Sequence, residues 1–71
     1  MAKFKVIPLI DLAQVIPGWK EMALKSQLDM DNFTKMLEAL DSYGEQNGLK
    51  FFQLHNRRID NSMMVIFTLK E

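Results

Sequence analysis

The alternation of apolar and polar side chains changes period along this chain, and the changes mark out its elements. Phe4 and Val6 alternate with Lys3 and Lys5, the period-two pattern of a short half-buried strand. Pro8 has no N–H to donate, which argues against a central strand position there. Asp11 is placed to cap a short helical turn over Leu12, Ala13, Val15 and Ile16. Pro17-Gly18 then ends that turn, because the pair favours a type II turn.

Between Trp19 and Leu28 two periods compete. Met22, Leu24 and Leu28 fit a strand with Ser26 as its weak position, whereas Trp19, Met22 and Ala23 fit a helical turn. The strand is the favoured reading. The next segment has one period. Phe33, Met36, Leu37, Leu40 and Tyr43 recur at the three-and-four spacing of one helical face. Asp29 or Asp31 can cap that helix, which is expected over Asp31–Asn47, and Gly48 stands where a left-handed residue stops it. Leu49 can then fold back on the last turn. Gly44 lies on or beside the apolar face, four residues after Leu40, and weakens the helix by about 1 kcal/mol relative to Ala. The favoured explanation is a close approach of the helix to a sheet, and a passing ligand or partner backbone is the other.

The C-terminal third reads as a hairpin, with turn chemistry at Asp60-Asn61 between Leu49–Arg58 and Ser62–Lys70. A turn centred there pairs Leu54 with Phe67, Phe52 with Leu69 and Asn56 with Val65 on a core face. The opposite face then pairs Phe51 with Lys70, Gln53 with Thr68, His55 with Ile66 and Arg57 with Met64. This register sorts both strands into an apolar side and a mixed side, and a slip by one residue would undo the sorting.

The 71 residues suffice for one small domain, 1–71. Such a domain buries only roughly 60% of its unfolded surface, so its stability is marginal. There is no Cys, hence no disulfide and no thiolate zinc site to brace it. Good packing or self-association remains. Balanced charge, 9 Lys+Arg against 9 Asp+Glu, argues against a coat for nucleic acid and against an acidic DNA mimic. No run approaches the ~20 apolar residues of a membrane span. The first residues lack the uninterrupted apolar run and cleavage site of a signal peptide. A cytoplasmic protein is therefore expected, and its brevity also fits a virus-encoded protein acting inside a cell.

Catalytic chemistry is poorly represented. With a single His there is no His-rich metal site, and Asp29-Met30-Asp31-Asn32 lacks the Gly and distal Glu of a calcium loop. Helix capping explains those two aspartates. Ser26, Ser42 and Ser62 stand in no nucleophile motif, and Gly18, Gly44 and Gly48 are too scattered for a phosphate loop. No metal, cofactor or catalytic residue is expected. His55 reads as a surface or interface residue before it reads as a general base.

Two features bear on binding. Lys50, His55, Arg57 and Arg58 form a basic cluster beside Phe51 and Phe52, a composition that can stack bases and hold phosphates. A solvated hairpin end explains it as well. The other feature is Ser62–Leu69, which is apolar on both faces where a half-buried strand should alternate. Met64 and Ile66 on the second face need cover, and Phe51 and His55 could join them in one patch. Exposed apolar patches mark contacts, and Met adapts to irregular partners. Cover by the first strand or its following loop is the competing reading.

From Leu9 onward the layout resembles the pterin-4a-carbinolamine dehydratases. The corresponding pieces are Ile16-Pro17-Gly18-Trp19, a strand at Lys20–Leu28, a helix opening Asp31-Asn32-Phe33, and closing strands ending Phe67-Thr68-Leu69. The family's active site has a His-His-Pro step after the helix, where this chain has Gly48-Leu49-Lys50. Its closing Thr-His step is matched only at Thr68, with Leu69 following. The resemblance therefore implies a fold and a tendency to oligomerise, with no catalytic residue carried over.

The expectation is an α+β domain, a small and largely antiparallel sheet packed against one main helix and ending in a β-hairpin. Its core should hold Phe33, Leu37, Leu40, Phe52, Leu54, Val65, Phe67 and Leu69, with Trp19 anchoring the N-terminal half. The leading functional expectation is a non-catalytic protein-interaction module, acting as an oligomer or as a small regulator of a larger protein. Its contacts should run through Phe51, His55, Arg57, Met64 and Ile66. Single-stranded nucleic-acid binding through the basic hairpin face, and a degenerate dehydratase-like ligand binder, are the alternatives.

Overall fold

The computed structural model describes residues 3–70, in the order β1 (Phe4–Pro8), a 3-10 helix (Leu9–Gln14), α1 (Trp19–Lys25), α2 (Met30–Gln46), β2 (Leu49–Arg57) and β3 (Ser62–Leu69). The strands form one antiparallel sheet in the order β1-β3-β2. The fold is thus α+β, as the pattern predicts. The central strand is β3, hydrogen-bonded on both edges. β1 and β2 are the edges, and Pro8 ends an edge strand opposite Met64.

All core side chains from the strands point to one side. Ile7, Leu49, Phe51, Leu54, Val65 and Phe67 pack there against Leu12, Trp19, Met36 and Leu40 of the helices. Trp19 is buried and its indole N–H donates to the Leu9 carbonyl at 2.7 Å, so the ring ties α1 to the chain just after β1. A buried indole needs such a partner for its one polar atom.

α2 starts where Asp29 accepts a hydrogen bond from the Asn32 N–H at 2.8 Å. That cap satisfies one of the free donors of the first turn. At the other end Gly48 takes a left-handed φ of 69° and turns the chain into β2. Gly44 marks the expected close approach. A Cβ there would stand 2.7 Å from the Leu49 carbonyl oxygen, so only Gly lets the helix lie this close to the start of β2.

Several expectations are corrected. Trp19–Lys25 is helix rather than strand. Gly18, with φ 72°, completes the Pro17-Gly18 turn and opens the helix, and Glu21 and Lys25 then pair one turn apart at 2.9 Å. The strand-like alternation was accidental, since Leu24 and Leu28 are both exposed. The first helical turn is 3-10 and follows Pro8 without a side-chain cap, so Asp11 lies inside it rather than capping it.

The hairpin register also differs. Its loop spans residues 58–61, four residues instead of two, with Asn61 at a φ of 56°. Near the loop Leu54 pairs with Val65, His55 with Met64 and Arg57 with Ser62. This is a shift by two from the expected pairing, an even number, so every side chain there keeps its face. A bulge between Phe51 and Gln53 then adds one more residue. One is odd, so Phe51 and Phe52 exchange faces. Phe51 turns inward, opposite Phe67, with ring centroids 6.2 Å apart. Phe52 turns outward and leaves the core, as do Phe33 and Leu69, which are substantially exposed. Leu12, Met36 and Leu49 are fully buried in their stead.

Candidate functional site

The side of the sheet away from the helices carries Phe4 and Val6 from β1, Met64, Ile66 and Thr68 from β3, and Phe52, Gln53 and His55 from β2. The register sets these together, with Phe4 beside Thr68, Val6 beside Ile66, Gln53 beside Ile66 and His55 beside Met64. Among the described residues no helix crosses this face. β1 flanks Met64 and Ile66 in the sheet plane instead of lying over them, so the first strand does not cover the second face.

Phe4 and Phe52 come from the two edge strands, yet their rings approach to 5.8 Å. They must lean toward each other over β3, and Ile66 and Met64 on the same face are half-buried. The face remains open at its flanks, where Phe4 is 52%, Val6 50% and Phe52 55% exposed. Isolated exposed apolar residues are ordinary, but contiguous ones on a flat sheet are not.

Of the five expected contact residues, Met64, Ile66 and His55 share this face. Phe51 does not, because the bulge puts it in the core. Arg57 lies at the end of β2 and is engaged by Asp60 at 2.5 Å. Asp60 also accepts from the Ser62 hydroxyl and N–H, at 2.7 and 3.1 Å. These donors, Arg57 foremost, hold the Asp60 carboxyl well below the usual carboxylate range, and the same pairing raises Arg57. Arg57 therefore serves first as a brace of the hairpin loop. Phe4, Val6 and Phe52 were missed as members of the face. A bulge leaves no period-two signal in a single sequence, and Phe4 and Val6 read as the buried side of their strand.

Charge is divided between the two sides of the molecule. Among the described residues the sheet and its loop hold Lys3, Lys5, Lys50, Arg57, Arg58 and Lys70 against the single carboxylate Asp60. The helical segment holds Lys20, Lys25 and Lys35 against Asp11, Glu21, Asp29, Asp31, Glu38, Asp41 and Glu45. The charge of the described residues is therefore divided, cationic along the sheet segments and anionic along the helical segment. Lys70 and Glu45 bridge the two halves at 2.6 Å.

Among the described residues no three His, Asp or Glu side chains gather at metal-binding distance, and no helix is long and apolar enough to cross a membrane. The fold and site define a small α+β domain with helices on one face of a three-stranded sheet and an open apolar face on the other. No family model, curated protein or solved structure matches the chain.

Proposed function

We propose that this protein is a non-catalytic interaction module whose open sheet face docks on a larger protein. The observation that carries the reading is the contiguous apolar surface of Phe4, Val6, Phe52, Met64 and Ile66 across all three strands, with every helix packed on the other side. A partner suited to it is apolar at its centre with an acidic group near Lys50, which lies opposite Thr68 on this face, and the strands carry no carboxylate.

The test is solution mass together with partner capture from a host lysate. Val6→Glu and Phe52→Glu place charge at the exposed flanks of the face, and Met64→Glu and Ile66→Glu place it at the centre. All should abolish association, the first two with little loss of stability. Unchanged mass and unchanged capture in folded variants would overturn the reading. Tight binding of single-stranded nucleic acid that weakens steeply with salt would replace it with the alternative function.

A further inference from the structure

On the helical side of the sheet, away from the face just described, the structure holds a second apolar feature. It is a hollow of about 770 Å³ where the 3-10 helix, α1, the start of α2 and the loop end of the hairpin converge. Its walls include Ile10, Leu24, Phe33 and Met63, one from each of four elements, and Trp19 lies in its floor. Ile10 and Leu24 are 77% and 64% exposed, so these walls face water in the isolated chain.

We propose that this hollow is a small-molecule site for an apolar monocarboxylate of medium fatty-acid length. Size argues for a small molecule. The hollow, at about 770 Å³, is half open to solvent. It also lies within the ~300–1,000 Å³ of ligand pockets, which combine apolar walls with a few polar groups. Charge selects the head group. Lys20 is the sole charged side chain on the lining, and the remaining polar side chains are Ser26, Gln27, Asn56 and Asn61. None of the carboxylates that crowd the helical segment lines the hollow. An apolar chain can lie along these walls while its carboxylate meets the Lys20 ammonium at the solvent-exposed mouth.

The experiment uses the full chain and its single tryptophan, Trp19, as reporter. Decanoate, decanol and decylamine, each below its micellar concentration, are titrated by fluorescence and by calorimetry. Decanoate should bind saturably at one equivalent, about threefold tighter than decanol at low salt and less so at high salt, the scale of an exposed ion pair. Decylamine should bind most weakly. Lys20→Met should remove the preference for decanoate over decanol and leave decanol binding unchanged, whereas Leu24→Gln should weaken all three. Equal affinity for the three ligands would overturn the carboxylate assignment. No saturable signal by either method would overturn the site. Neither result touches the proposed role of the sheet face, which lies on the other side of the molecule.

Discussion

Val65 and Ile66 are neighbours in β3, alike in size and chemistry, and they live in different solvents. Val65 is fully buried beneath the helices with Phe67, while Ile66 faces outward and is half-buried beside the leaning rings of Phe4 and Phe52. The strand is apolar on both sides, so side-chain type does not distinguish a core face from a docking face. What distinguishes them is where the helices pack. Leu12, Trp19, Met36 and Leu40 close one side, and nothing in the described chain closes the other.

This contrast predicts unequal responses to similar substitutions. Phe67→Ala removes a fully buried ring from the helical side and should cost about 3–5 kcal/mol. For a domain of this size that approaches the whole stability, and urea denaturation should find the variant largely unfolded. A loss below about 1 kcal/mol would mean that the helices do not seal that face.

Gly44→Ala tests the seal from the helix. Alanine would add about 1 kcal/mol of helix propensity. Its Cβ, however, would overlap the Leu49 carbonyl, a backbone atom that cannot swing aside. A net loss of about 1–3 kcal/mol is expected, and a gain in melting temperature would contradict the close approach. Asp29→Ala should cost about 1 kcal/mol through loss of the α2 cap, with Asp29→Asn close to neutral.

On the open face the effects on stability should be smaller still. Val6→Ser, at a half-exposed position, should change the unfolding free energy by only about 0.5 kcal/mol, while weakening partner capture severalfold. If it unfolds the protein instead, the two faces are not different in kind. The least effect is expected from Asp60. Its folded pKa is depressed, so its contribution is present above the unfolded value of about 3.9 and fades as pH falls through the lower folded value. Asp60→Asn should therefore lower stability slightly in the neutral region, leave it unchanged at the lowest pH, and so flatten the acid limb of the stability profile. That group is fully exposed, so the change should be small.

Much of the fold was legible beforehand, and the exceptions share a cause. The cap and stop of α2, the turn at Pro17-Gly18, the Gly44 contact and the anchoring of Trp19 all follow from local chemistry. Trp19–Lys25 was misread because Leu24 and Leu28 mimic a strand period although they are exposed. The inward turn of Phe51 and outward turn of Phe52 depend on the bulge, which two adjacent phenylalanines cannot announce. As a result the open face was anticipated at Met64, Ile66 and His55, while its flanks at Phe4, Val6 and Phe52 were not. The hollow beside Trp19 had no signature, because its walls come from four separate elements.

Local sequence set the elements and their ends, since caps, left-handed glycines and turn pairs act over a few residues. It also set the two-sided greasiness of β3. Which side the helices would cover, and which phenylalanine would face them, depended on long-range contacts. The bulge couples β2 to β3, and α2 can approach only where Gly44 admits the Leu49 carbonyl. Those contacts join residues far apart in the chain, and no pattern confined to neighbours encodes them.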